Sequence, residues 1–349
     1  MQSELTGGTP LLRPALPLAA LLFASLPSYA DPLEDALTHL ITKARAGSSA
    51  SAVVLLASDS GERIVVIDGD ATPQTRFYLA SVGKTLVAAA VLNAVERGAL
   101  DLDAPLGARV AGLPMADLAA TRTLRDLLSH TSGLPDYLGD AFYDDALARP
   151  AHRPSPAEAL GYGDPNEAQP RGSPFEYSNT NYVFLGAVLE GLDGSLGAAM
   201  NARVFGPAKM TASSVGAKDG PDLARGYDED GRDVSAILWN STLGDGPVVA
   251  NAPDLERFIR ALMESDRVIG GAVRAQMLRA AQPGSGYGLG IGVDGDEWGD
   301  WFGHSGGFDG AAADYRYYSE DGSIILVLAN GDLDTDWVMD EAAAIWFGQ

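Results

Sequence analysis

Apolar and polar positions follow one rhythm at the two ends of this chain and another in its middle. Near the start, SAVVLLAS (51–58) and RIVVID (63–68) are short, β-branched runs flanking Asp59-Ser60-Gly61, an arrangement that predicts a hairpin. Near the finish, YGLGIGV (287–293), WFGHSGG (301–307), AAADYRYYS (311–319) and SIILVLAN (323–330) are separated by Asp/Gly turns and predict further strands. Helical spacing precedes the first group, from about Leu33 to Ala46, and returns in TDWVMDEAAAIWF (335–347). Strands near both termini with helices outside them predict one antiparallel sheet assembled from the two ends of the chain.

The middle reads as helical. TLRDLLSHTSGL (123–134) predicts a short helix stopped by Gly133, YVFLGAVLEGL (182–192) a second, and NAPDLERFIRALMES (251–265) a third through Leu255, Phe258, Ile259 and Leu262. The stretch Ala148 to Pro174 carries six prolines and predicts a long surface loop. The expected class is α/β in the α+β sense: a sheet part at about 31–95 and 280–349, with a mostly helical insert at about 96–279.

Before residue 31 lie Arg13, the apolar run Ala15 to Leu26 and the small-x-small sequence Ser28-Tyr29-Ala30. A positive flank, about a dozen apolar residues and a small-residue end describe an export signal over about 1–30, too short to span a bilayer. The mature chain is expected from about Asp31, secreted or periplasmic.

Composition narrows the chemistry. The 349 residues are 46% hydrophobic, enough for a large core. A net charge of -23 repels phosphates and anionic lipid, which argues against nucleic-acid and membrane-surface partners. With no cysteine, four histidines (39, 130, 152 and 304) and no His-Glu-x-x-His, neither a thiolate chemistry nor a metal site is expected, and no cofactor motif is present. The acidic runs at Asp228 to Asp233 and Asp332 to Asp336 match a calcium loop poorly and read as solvated turns.

YLASVGKTLVAAAV (78–91) carries two candidate chemistries. Gly83-Lys84-Thr85 resembles the end of a phosphate loop, but such a loop needs a glycine where Tyr78 stands, and none occurs between Asp70 and Gly83. Ser81-Val82-Gly83-Lys84 is Ser-x-x-Lys at the start of a helical run, which places a lysine amine one turn from a serine hydroxyl that needs a base. A helix-capping serine is the bland alternative. Two partners follow: Tyr177-Ser178-Asn179 is the only Tyr-x-Asn, and His304-Ser305-Gly306 the only His-[Ser/Thr]-Gly. Chance yields all three in this composition roughly four times in a thousand, which weighs against coincidence.

On these residues the chain resembles the serine β-lactamase and DD-peptidase family, in its class C and low-molecular-weight penicillin-binding branch. LLSHTSGLPD (127–136), YSNTNYVFLGAVLE (177–190), YGLGIGV and GHSGGFDG (303–310) extend the likeness over most of the mature chain. The resemblance implies Ser81 as the acylated nucleophile, Lys84 as proton shuttle and Tyr177 as general base and acid. It implies that Asn179 binds the substrate amide or ester and orients Lys84. His304, Ser305 and Gly306 would edge the cleft and bind substrate, and the backbone N–H groups of Ser81 and Gly307 would form the oxyanion hole. His304 stands where class C β-lactamases carry lysine, and Gly307 offers no hydroxyl for a substrate carboxylate, leaving Ser305 or Arg316 for that task. Gly303 to Gly307 also matches the Gly-x-Ser-x-Gly elbow of α/β-hydrolases, but no histidine follows His304 and the next segment reads as a hairpin. The expected function is a serine hydrolase working through an acyl-enzyme on a D-amino-acid peptide, a β-lactam or a small ester. DD-carboxypeptidase-like or esterase/amidase activity leads; a class C-like β-lactamase or a slowly deacylating penicillin sensor is the alternative.

Overall fold

Strand β1, Ala52–Ala57, is buried at all six positions, so its sheet must be covered on both faces. Its side chains sort by turns into two cores: Val53, Leu55 and Ala57 join one, Ala52, Val54 and Leu56 the other. Strand β9, Ile324–Ala329, divides the same way and lies antiparallel to β1, with Ala52 opposite Ala329 and Ala57 opposite Ile324. The two ends of the chain are thereby joined.

The computed structural model describes residues 32–48, 50–216, 222–238 and 243–348, and the expected export segment, 1–30, lies outside them. Six antiparallel strands run in the order β2 (Arg63–Asp68), β1, β9, β8 (Ala311–Tyr318), β7 (Gly299–Phe308) and β6 (Gly292–Asp296). A small second sheet orders β3 (Phe77–Tyr78), β5 (Val248–Ala250) and β4 (Ser214–Val215). Helix α1, Pro32–Ala44, and the helix Thr335–Phe347 cover one face of the large sheet through Leu37, Ile41, Val338, Met339 and Ala342. Helix α2, Gly83–Glu96, lies in the other core and is buried on all sides from Gly83 through Ala94, polar Lys84, Thr85 and Asn93 included. Burying each of Leu86, Val87, Val91 and Leu92 is worth roughly 1.5–3 kcal/mol, so the helix carrying Lys84 is firmly anchored. No single helix among the described residues is long and apolar enough to cross a membrane.

Three expectations are corrected. YGLGIGV is a strand only from Gly292; before that the chain dips against α2, where a Cβ on Gly290 would lie 2.3 Å from the Ala88 Cβ, and Thr85 donates to the Gly290 carbonyl. The proline-rich stretch holds a helical turn, Pro156–Leu160, opened by a Ser155/Glu158 capping box. The helix Leu124–Leu128 ends five residues before Gly133, and both His130, at φ +54°, and Gly133, at φ +70°, are left-handed.

Candidate active site

The hydroxyl of Ser81 sits on a strained turn. Strand β3 stops at Tyr78, Ala80 is held at φ +43°, and a 3-10 turn, Ala80–Val82, leads into α2. A left-handed residue with a Cβ is unfavourable and concentrates at functional turns. Ser81 caps nothing: the residues flanking the turn and the helix are Leu79 and Val82, neither with a side-chain cap. Its Oγ lies instead 2.9 Å from the Lys84 Nζ.

Lys84 is fully buried, and two of its N–H groups have obligate acceptors, the Asn179 Oδ1 at 2.8 Å and the Asp245 backbone oxygen at 2.6 Å. The remaining tetrahedral position on the nitrogen faces Ser81. Asn179 is itself fixed, donating its backbone N–H to Asp136 Oδ1 at 3.0 Å and its Nδ2 to Asp136 Oδ2 at 2.8 Å. Its Oδ1 and one of its two Nδ2 hydrogens are committed, so Asn179 is placed to orient Lys84 and keeps a second N–H at the cleft it lines. The Asp245 carboxylate accepts from the Tyr137 hydroxyl at 2.7 Å, and burial pushes that carboxyl above its ordinary range.

Tyr177 is 36% exposed, with its ring centroid 5.1 Å from Lys84 Nζ and 4.2 Å from the stacked His130 ring. His304 stands 6.4 Å from it, ring to ring. The Nδ1 of His304 lies 2.6 Å from the Ser305 carbonyl, which only accepts, so Nδ1 carries the proton and Nε2 accepts from Tyr287 Oη at 2.9 Å. Burial, reinforced by Lys84, lowers its pKa to about 4. His304 is therefore neutral with both nitrogens engaged, and supplies no cation to a substrate. Arg316 is engaged too, 2.7 Å from Asp340 and 3.5 Å from Asp296.

Gly306 and Gly307 play different parts. A Cβ on Gly306 would sit 2.5 Å from the Ser81 nitrogen, so its bareness lets β7 close on the nucleophile turn. A Cβ on Gly307 would meet nothing within 4 Å. Gly307 lines the same cleft as Ser81, Asn179 and Asp245, a volume of about 670 Å³ including its open mouth, walled by Leu138, Phe142, Ile237 and Leu243. No arginine or lysine is among the described residues lining it. Exposed Ser305 lines the adjoining recesses instead, one of them with His304 and Tyr177. No cluster of three histidines or carboxylates able to hold a metal ion occurs among the described residues.

The Beta-lactamase family model matches residues 37–346, nearly the whole described chain. The chain belongs to the β-lactamase family, a family of serine hydrolases. Within it, the chain is similar to Penicillin-binding protein 4* of Bacillus subtilis, at 28% identity over 78% of this chain and 65% of that protein's length. The fold matches a D-stereospecific amidohydrolase from Streptomyces sp. at a TM-score of 0.78, with 24% identity over 90% of this chain and 99% of that one. It also matches the D-amino acid amidase of Ochrobactrum anthropi SV3, whose complex with D-phenylalanine gives a TM-score of 0.75 at 22% identity over 91% of this chain and all of that one.

Five residues of this β-lactamase-family site escape a residue-by-residue sequence reading. Asp136 and His130 lie inside LLSHTSGLPD, and Tyr287 opens YGLGIGV, so the wording of those runs marked them without giving a role. Tyr137 and Asp245 carried no signal: a turn tyrosine and a turn aspartate look the same whether or not they reach a buried amine.

Proposed function

We propose that the chain hydrolyses neutral amides or esters through an acyl-enzyme on Ser81. One observation carries the reading: Lys84, buried and held by two backbone-anchored acceptors, has a single free direction, and Ser81 Oγ occupies it at 2.9 Å. Oγ bonds to the carbonyl carbon while its proton passes to the Lys84–Tyr177 pair. The carbonyl oxygen becomes an anion beside the N–H groups of Ser81 and Gly307, a kind of contact worth about 3 kcal/mol per donor in the rate. The bond to the leaving nitrogen or oxygen breaks as the pair returns the proton to that atom. Water then attacks the ester by the reverse path, releasing the acid and restoring Ser81.

A leaving group ending in a carboxylate meets no unpaired cation here, since His304 is neutral and engaged and Arg316 is paired, and with no hydroxyl on Gly307 it is left the exposed Ser305 hydroxyl alone of the candidates. This favours amides and esters over carboxylate-terminated peptides and β-lactams. The D-amino acid amidase and D-stereospecific amidohydrolase among the fold neighbours support a D-configured substrate, with its side chain against Leu138 and Phe142. Export through residues 1–30, to the periplasm or outside the cell, belongs to the same proposal.

The test is intact-mass measurement after exposure to a fluorophosphonate, followed by turnover of D-phenylalanine amide, D-phenylalanine methyl ester, a D-Ala-D-Ala peptide and a penicillin. Wild type should gain one adduct and turn over the amide or the ester; Ser81→Ala should gain none, and Lys84→Met should slow on the order of 10²–10⁴-fold. A penicillin adduct that persists without turnover favours the sensor reading. Labelling of Ser81→Ala at the wild-type rate rejects the nucleophile.

A further inference from the structure

His130 grips three consecutive residues around Tyr177. Its backbone oxygen accepts the Glu176 N–H at 3.0 Å, its Nδ1 accepts the Ser178 N–H at 3.1 Å, and its ring stacks on Tyr177 with centroids 4.2 Å apart and planes 24° off parallel. Asn181 Nδ2 lies 3.2 Å from the same Nδ1, so two donors fix the tautomer with the proton on Nε2. That Nε2 is buried without a partner, and Phe175, Tyr182 and Tyr287 surround the ring. The backbone is left-handed. A strained backbone, an orphaned N–H and a polar ring in an aromatic box are each unfavourable and persist only where the surroundings impose them. His130 is buried, so it is not placed to touch substrate.

We propose that His130 is a positioning residue that aims the Tyr177 hydroxyl at the reacting atoms, a role that rests on Tyr177 handling the Ser81 proton. Histidine alone combines the two contacts: phenylalanine would stack without accepting the Ser178 N–H, and asparagine would accept without stacking. The helix Asn179–Asp193 begins directly after this grip, so Tyr177 is held between the imidazole and a helix N-terminus anchored on Asp136.

The experiment is a double-mutant cycle read as kcat and KM on a neutral ester, with melting temperature as the folding control. His130→Ala should lower kcat about 10- to 100-fold with KM unchanged, the scale of an ångström misplacement of a reacting group. In a Tyr177→Phe background the same change should do nothing further, because the residue it acts through is gone. His130→Phe, which keeps the stack, should fall between the two and supplies the cycle if the alanine variant does not fold. Wild-type kcat in His130→Ala, or effects that multiply in the double variant, would overturn the assignment. Wild-type kcat in Tyr177→Phe rejects the reading of Tyr177 itself, a distinct outcome visible before the cycle is closed.

Discussion

Alanine at residue 306 should damage this protein far more than alanine at residue 307. A Cβ on Gly306 would stand 2.5 Å from the Ser81 nitrogen, 2.8 Å from the Leu79 oxygen and 2.9 Å from the Val82 nitrogen, all backbone atoms that cannot rotate away. Restoring ordinary contact at 3.4 Å requires β7 and the Ser81 turn to part by about 0.9 Å, the difference between 3.4 and 2.5. Strand β7 is tied to β8 through Gly306 opposite Ala313 and Gly307 opposite Ala312, so the displacement carries the Gly307 N–H with it. Overpacking of this kind costs about 1–3 kcal/mol, and an ångström of misplacement about 10²-fold in rate. Gly306→Ala should therefore melt a few degrees lower and label with fluorophosphonate about 10²-fold more slowly. Gly307→Ala, with open space around its Cβ, should keep the wild-type melting temperature. Thermal scans beside timed labelling decide the matter; equal melting points and labelling rates for wild type and Gly306→Ala would refute the close approach of strand to nucleophile.

Two further substitutions probe the surroundings. Asp136→Asn replaces one acceptor oxygen by a donor facing Asn179, so it should cost about 1 kcal/mol in chemical denaturation and lower ester turnover by misorienting Lys84; unchanged values in both would reject the relay. Asp314 is buried on β8, and burial raises its pKa from the ordinary 3.8 to about 7. Its contribution to stability is fully present below 3.8 and is lost as pH rises through 7. Asp314→Asn has no proton to lose, so its stability should gain on wild type between pH 5 and pH 7 by about 3 kcal/mol, two pH units at about 1.4 kcal/mol each; parallel pH profiles would refute it.

Residues whose role depends on local spacing are legible in the sequence. Ser81 and Lys84 are one helical turn apart, so their contact follows from periodicity once the run after Gly83 is read as a helix. The sheet from both chain ends is legible because short β-branched runs bounded by Asp/Gly turns stand near both termini, and the unbroken apolarity of AVVLLA and IILVLA agrees with their burial on both faces. What escapes are decisions made by tertiary approach. The glycines of YGLGIGV look like strand punctuation, yet Gly290 is bare because it packs on Ala88 of α2, 202 residues earlier in the chain by number. His304 reads as a substrate contact by its motif, and only the fold reveals Tyr287 on one nitrogen and the Ser305 carbonyl on the other.

The arrangement of charge around Lys84 links these points. A fully buried amine ordinarily sits against a carboxylate, because Coulomb attraction must offset its desolvation. Here two carboxyl groups stand near, but each acts at one remove: Asp136 reaches Lys84 through the Asn179 amide, and Asp245 offers its backbone oxygen while Tyr137 holds its carboxylate. A direct ion pair would occupy the face of the nitrogen that Ser81 needs. Neutral groups placed between the amine and the acids satisfy two of its positions, keep the compensating charge close and leave the third position to the nucleophile.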